Sequence, residues 1–239
     1  MDYTGRALVQ NGPGMHHLLD NVVWHTLTGP HAKFASGSGA VRRYARGFSP
    51  IVGFEDPARP DFEALASLCD PKEDFYCDGW SGDAPADWHV AADSTMFKMV
   101  WEGVEPAADD APDAIPVDDG YRDHALALAM LTRPGPFGPR TIELGDYFGF
   151  VVDGRLVAMA GERMHAGRLR EISGVCTHPQ FQGRGFARRL MRKLVRRQLL
   201  RGETPFLHVM RENESARALY ERMGFRAHRE TAVRLVSRR

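Results

Sequence analysis

Two short stretches of the chain have residue types and spacing suited to chemistry. Gln182-Gly183-Arg184-Gly185-Phe186-Ala187 places two glycines one residue apart, between an apolar run and the start of a basic, leucine-bearing helix pattern. Glycines at such a junction let backbone N–H groups approach a phosphate closely, and the partial positive charge of a helix N-terminus favours the anion. The spacing is not the dinucleotide fingerprint, which would need Gly at Arg188, and no Gly-Lys-Ser/Thr follows for a Walker loop. The second stretch is Asn213-x-x-Ala216-x-x-x-Tyr220-x-x-x-Gly224-Phe225. Asn213 is a natural N-cap, and offsets of three and four set Asn213, Ala216, Tyr220 and Gly224 on one helical stripe. Ala216 permits close approach of another element, and Tyr220 presents a phenol that can donate a proton. Alone, the first stretch is an ordinary tight turn and the second a packed amphipathic helix.

The elements around them follow from pattern. Tyr121–Leu131 is Ala/Leu-rich and predicts a helix, closed by the proline-rich loop Arg133–Arg140. Tyr147–Val152 and Leu156–Met164 are apolar runs joined by the hairpin signal Asp153-Gly154, and Leu169–Thr177 predicts a third strand after a turn at His165–Gly167. A helix then runs to about Arg201, with Ala187, Leu190, Met191, Leu194 and Leu199 on its apolar face. Phe206–Val209 predicts a short strand, Asn213 opens a helix ending at Gly224, and Arg226–Val236 predicts a last strand. This order implies an α+β fold: a mixed, mostly antiparallel sheet flanked by helices.

Upstream, Leu18, Leu19, Val22 and Val23 predict a short helix, and Phe62, Leu65, Ala66 and Cys69 another, with Pro60 in its first turn. Ile51–Phe54 and Met96–Trp101 predict strands of an N-terminal α/β domain. Prolines 106, 112 and 116 within Glu105–Pro116 predict a linker, and the division falls at 1–112 and 113–239. His16 and His17 are adjacent, so their side chains diverge on a helix and make a poor metal pair; no metal is expected.

Composition narrows the class. The 239 residues carry 31 basic and 31 acidic side chains, so the chain is neutral overall. The first 117 residues nevertheless hold 8 Lys/Arg against 18 Asp/Glu, and the remainder 23 against 13. Opposite halves can attract each other, and the basic half could receive an anion. The run Arg188, Arg189, Arg192, Lys193, Arg196, Arg197 and Arg201 lacks interleaved aromatics, which disfavours nucleic acid as its partner. No apolar stretch approaches the roughly 18 residues of a membrane helix. Met1–Arg6 has no leader pattern, and three scattered cysteines fit a reducing, cytoplasmic setting.

With Val175-Cys-Thr-His-Pro ahead of them, the two stretches resemble the GNAT superfamily of acyl-CoA-dependent N-acyltransferases, most closely its glycine N-acyltransferase-like branch, over residues 118 to 236. Gln182–Ala187 matches the family's Q/R-x-x-G-x-G/A loop in sequence and in position after a strand. Some relatives carry a degenerate second copy of the fold, a reading open for the N-terminal half. The resemblance implies a cytoplasmic acetyltransferase using acetyl-CoA as cosubstrate and a small-molecule or peptide amine as acceptor. It implies that backbone around Val175, Cys176 and Thr177 pairs with the pantetheine arm. Gln182, Gly183, Arg184, Gly185, Phe186 and Ala187 would cradle the pyrophosphate, Asn213 would touch the cofactor from the other side, and Tyr220 would protonate the leaving thiolate. Glu171 stands where some relatives place a base. The loop Arg133–Arg140, with Phe137, and the N-terminal half would border the acceptor.

Strand alternation puts Glu171, Ser173, Val175 and Thr177 on one face, with Glu171 roughly 13 Å from Val175, so a relaying water is expected between base and amine. The competing reading makes Glu171 a surface carboxylate beside Arg170 or Arg168. Glu162 and His208 are the reserve bases. Cys176 has no His partner placed by the sequence and reads as a small apolar strand residue. Two rivals remain: a non-catalytic acyl-CoA sensor and a nucleic-acid-binding module on the basic helix.

Overall fold

The computed structural model describes residues 13–239, with side chains from His17 onward. Met1–Arg6, assessed above for a leader, and the side chain of His16 lie outside the described residues. In chain order the elements are α1 (Pro13–Asp20), α2 (Val22–Thr28), β1 (Ala35–Ser36), β2 (Val41–Tyr44), β3 (Ile51–Phe54), α3 (Phe62–Ala66), β4 (Asp74–Asp78), β5 (Trp88–Trp101) and β6 (Ile115–Pro116). There follow α4 (Arg122–Thr132), β7 (Tyr147–Val152), β8 (Arg155–Ala166), β9 (Leu169–Thr177), α5 (Phe186–Leu200), β10 (Thr204–Met210), α6 (Glu214–Met223) and β11 (Phe225–Arg238).

The eleven strands among the described residues join one sheet, in the order β1-β2-β3-β4-β11-β5-β10-β9-β8-β7-β6. Among the described strands only β3–β4 and β9–β10 are parallel. The fold is the mixed, mostly antiparallel α+β arrangement read from the sequence. The sheet is continuous across the expected division, because β5, from the acidic half, lies between β10 and β11 and pairs with both. The stretch Glu105–Pro116 is irregular up to β6 and is strapped across α5. Asp109, Asp110 and Asp113 pair with Lys193, Arg192 and Arg189, and Ala111, within the strap, is fully buried.

Local chemistry explains the element ends. Asp153 and Gly154 both adopt positive φ, as the tight turn between β7 and β8 requires. Asp61 caps α3 by accepting from the Ala64 amide at 2.8 Å, so Pro60 stands one residue before the cap, not in the first turn. Asn213 caps α6 through the Ala216 amide at 3.2 Å. On α5 the buried face is Leu190, Met191, Leu194 and Val195, a row shifted from the expected one by the inclusion of Val195. The sheet has two covered faces. The α5 face gathers Ile172, Leu207, Val209 and Phe225; the opposite face packs Leu169 and Phe206 under α1 and α2, and Met159 and Cys176 under α4.

Candidate active site

The parallel ladder between β9 and β10 runs only from Leu169↔Thr204 to Glu171↔Phe206. Both strands continue beyond it, to Thr177 and Met210. Where they part, a cleft of about 340 Å³ opens between Ser173–Val175 on one side and Leu207–Met210 on the other. Strand edges in a cleft carry unpaired N–H and C=O groups, which an extended amide-bearing molecule can satisfy. Asn213 and Tyr220 border the same cleft, as do Pro134–Pro136.

Gly174 shapes this opening. Its φ of +62° marks a bulge. Gly161 pairs with Ser173 and Met159 with Cys176, so β9 carries one extra residue against β8. The alternation expected from Glu171 through Thr177 breaks there, because an extra residue reverses the side on which every later side chain falls. Val175 turns to the α5 face with Ile172, and Cys176 turns to the α4 face beside Leu128 and Met159. Glu171 and Val175 therefore do not share a face. Cys176 is buried away from the cleft lining, and that burial pushes its thiol up to about 11, as suits a packed apolar residue.

At one end of α5 the Gly183–Gly185 loop leads into the helix. Gly183 and Gly185 have φ of +77° and +79°, and a Cβ at either would meet nothing within 4 Å. They are needed for backbone conformation, and the loop stands open. Gly185 is the N-cap of α5 and supplies no side-chain cap, so the first helical N–H groups depend on another acceptor. Phe186 stacks on Phe150 at 4.6 Å, fixing the helix start, while Gln182 and Arg184 are exposed. Ala187 is half-buried. Thr177 Oγ1, where β9 runs out toward this loop, is buried without a partner among the described residues. These features fit a pyrophosphate and its linked amides.

Tyr220 packs its ring edge-on to Phe225 at 6.2 Å, and its hydroxyl makes no hydrogen bond among the described residues. Burial raises its pKa to about 12, so it stays protonated through the neutral range. Glu171 is 1% exposed, which excludes the surface-carboxylate reading. Its neighbour is Arg163, not Arg168 or Arg170: Arg163 Nη2 reaches Oε1 at 2.6 Å and Nε reaches Oε2 at 2.9 Å. His208 Nδ1 lies 2.8 Å from Oε1. Burial alone would raise the Glu171 pKa, but the Arg163 charge and the His208 bond outweigh it and hold it near 2. A carboxylate so held is a weak proton acceptor. Glu162 is also buried, but on the α5 face, bonded to Gln198 at 3.0 Å and paired with Arg201.

The sequence reading missed Arg163, whose signal was a basic residue beside Glu162 inside the otherwise apolar run 156–164. The acidic half, expected beside the acceptor, lines this cleft through Ile51, Tyr76, Asp78 and Met96. There Asp78 is tied to the fully buried Lys98 at 2.6 Å. Phe137, expected to face the acceptor, points inward and packs edge-on to Tyr147 at 6.0 Å; the cleft instead meets Pro134–Pro136 of that loop. The basic face of α5 is largely neutralised. Besides the three pairs to the strap, Arg197 and Arg201 share Asp146, at 2.8 and 3.2 Å. That leaves little of the charge a nucleic-acid surface would need.

The FR47-like protein family model matches residues 147–234. The chain is 37% identical over 117 residues to the N-alpha-acetyltransferase RimI of Mycobacterium tuberculosis, covering 45% of this chain and 72% of that protein. A solved structure from Novosphingobium aromaticivorans, described as an acetyltransferase from the GNAT family, is 36% identical. It superposes with a TM-score of 0.84 over 93% of this chain and 99% of its own. A GCN5-related N-acetyltransferase-like protein from Streptococcus suis, at 13% identity and a TM-score of 0.59 over 95% of this chain and 100% of its own, shares the fold. No helix among the described residues is long and apolar enough to cross a membrane.

Proposed function

The chain belongs to the GNAT family of acetyltransferases, and from that footing we propose that it moves an acetyl group from acetyl-CoA directly to a primary amine. The observation that carries this reading is the parting of β9 and β10 beside an uncapped helix N-terminus, with Tyr220 on the same cleft. Backbone of Val175, Cys176 and Thr177 holds the pantetheine arm, and the amides from Gly183 to Ala187 hold the pyrophosphate, with Gln182 and Arg184 beside them. Asn213, at the N-terminus of α6, closes the cleft from the other strand. When bound, acetyl-CoA supplies a thioester whose carbonyl can be attacked. Strand N–H groups stabilise the oxyanion, and the Tyr220 hydroxyl gives its proton to the departing sulfur. Glu171 serves the opposite, proton-accepting side.

Acceptor chemistry follows from what is available at the far end of the cleft. The relative named as an N-alpha-acetyltransferase makes a peptide α-amine the first acceptor to test. The resemblance to the glycine N-acyltransferase-like branch adds free amino acids. The Asp78 end, contributed by the acidic half, admits the amine, and the reaction takes place in the cytoplasm. The test is release of free CoA thiol from acetyl-CoA in the presence of alanyl and seryl peptides, glycine, polyamines and lysine peptides. Amine-dependent thiol release with mass-confirmed acetylation supports the proposal. Tight acetyl-CoA binding with no acetylation across the panel would favour the sensor reading instead.

A further inference from the structure

The polar groups on the proton-accepting side form a chain, Arg163–Glu171–His208, whose last atom has no partner among the described residues. His208 lines the cleft, its side chain is 8% exposed, and its Nε2 is buried without a hydrogen bond to any described residue. An unsatisfied ring nitrogen at a cleft wall is costly unless something in the cleft uses it.

The tautomer follows from the partner. Glu171 receives two bonds from Arg163, at 2.6 and 2.9 Å, and remains ionised beside it. An ionised carboxylate only accepts, so in the 2.8 Å contact His208 Nδ1 must be the donor. In the neutral ring the lone pair then belongs to Nε2. Arg163 in turn donates to the Pro136 carbonyl at 3.3 Å, which ties this chain to the loop bordering the cleft.

We infer that His208 is the general base of the transfer, with Nε2 taking the proton, and that Glu171 and Arg163 are positioning residues that fix its tautomer and orientation. The inference rests on the acetyl-transfer reading above. As the amine nitrogen bonds to the thioester carbon, its proton passes to Nε2, and the imidazolium formed is stabilised by Glu171. The C–S bond breaks with Tyr220 protonating sulfur. His208 then loses its proton to solvent and Tyr220 regains one, so amine and thioester leave as amide and thiol with no net proton change. The faces agree with this division. Alternation along β10 puts Phe206 and His208 on the face under α1 and α2, while Tyr220 packs with Phe225 on the α5 face. Acid and base thus approach the cleft from opposite sides of the sheet. Besides Glu171 and Arg163 on β9 and β8, and Arg133 of the loop that lines the same cleft, the charged groups on the elements beside the ring are Lys98, its cross-strand partner on β5, and Asp78 on β4. These two neutralise each other at 2.6 Å.

The test compares two small nucleophiles at saturating acetyl-CoA: methylamine, which must be deprotonated near neutral pH, and hydroxylamine, which is largely neutral already. His208→Gln should lower methylamine acetylation about a hundredfold or more and hydroxylamine acetylation less than tenfold. Glu171→Gln should show the same preference with a smaller loss. Equal losses on both nucleophiles, or none, would overturn the base assignment while leaving acetyl transfer standing. No product from either nucleophile with the wild type would count against acetyl transfer itself, and the base would fall with it. A measurement that needs no substrate and no variant activity is the long-range proton–nitrogen spectrum of the wild-type imidazoles. His208 should show Nδ1–H with a bare Nε2, and the reverse tautomer would exclude the mechanism.

Discussion

Tyr220 and His208 border one cleft from opposite faces of the sheet, the first packed against Phe225 and the second bonded to Glu171. A proton donor and a proton acceptor so separated cannot neutralise each other, and each can act on its own substrate. Tyr220→Phe should therefore cost turnover without costing the fold. The hydroxyl has no bond to lose among the described residues, so thermal stability should change little. The rate should fall about a hundredfold to ten-thousandfold, or roughly 3 to 5 kcal/mol of barrier. Because burial holds the phenol near 12, the wild-type rate should not decline between pH 7 and about 9.5 through loss of this acid. A phenylalanine variant with wild-type turnover, chemistry being rate-limiting, removes Tyr220 from the reaction.

The phosphate loop makes a separate prediction about binding. Gly185 has φ +79° with open space around it, so a side chain there is opposed by backbone strain and by its own intrusion on the loop, not by neighbours. Gly185→Val should weaken acetyl-CoA binding at least tenfold by calorimetry while the buried face of α5 keeps the domain folded. Unchanged affinity in a folded variant would mean that the pyrophosphate lies elsewhere.

How far this site was legible from sequence depends on which interactions were local. The loop glycines, the Asn213 cap and the Asp153-Gly154 turn are set by residues within a few positions of one another, and each element was foreseen within a residue or two. The bulge at Gly174 was not foreseen, because a glycine inside a strand run does not announce its own φ, and it reverses the side on which Val175 and Cys176 fall. The partnership of Glu171 with Arg163 rather than Arg168 or Arg170 depends on how β8 and β9 register. The place of β5 between β10 and β11 is a pairing across more than a hundred residues that no local pattern encodes.

Acidification should reveal the Arg163–Glu171 pair. The Glu171 pKa is depressed in the folded protein, to about 2 from an ordinary value of 4.5, so the unfolded chain takes up this proton first. Its contribution to stability is therefore complete above about pH 5 and is lost as pH falls from there toward 2. At about 1.4 kcal/mol per pH unit, the loss is on the order of 3 kcal/mol. Glu171→Gln should be less stable at pH 7, since Arg163 keeps its charge in a buried site, but its stability should fall less steeply between pH 4.5 and 2.5. Parallel wild-type and variant curves, from urea unfolding at several pH values, would show that the pair is not linked to folding.

Close packing of the wall behind Gly174, where Tyr147 and Phe137 meet that residue, can be tested at Gly161. A Cβ there would lie 2.2 Å from the Tyr147 ring, which itself sits 3% exposed against Phe137. Neither ring can retreat without disturbing the loop beside the cleft. Gly161→Ala should destabilise by about 1–3 kcal/mol, as overpacking of a dense core does. A simultaneous Tyr147→Leu change, which removes the ring edge, should recover part of that loss. A Gly161→Ala variant as stable as the wild type would show that this wall is looser than its distances imply.

The final prediction concerns what counts as a folding unit. All the motifs of chemistry lie after residue 146, which suggests that residues 113–239 could stand alone. The sheet argues otherwise. Strand β5 covers one edge of β10 through Val100–Met96 and pairs with β11 along nearly its whole length. Its Met99 and Trp101 enter the same cluster as Leu190 and Phe225. Removing it would bare two strand edges and open the core under α5, an arrangement prone to edge-to-edge aggregation. Most of the acidic strap would go with it, leaving Arg192 and Lys193 without their partners Asp110 and Asp109. Expressed alone, residues 113–239 should be insoluble or lack a cooperative thermal transition. A fragment beginning at residue 86, which restores β5 and the strap, should recover solubility, although its β11 edge toward β4 stays open. A cooperatively folded 113–239 fragment that binds acetyl-CoA would refute this view and make the C-terminal half an independent domain.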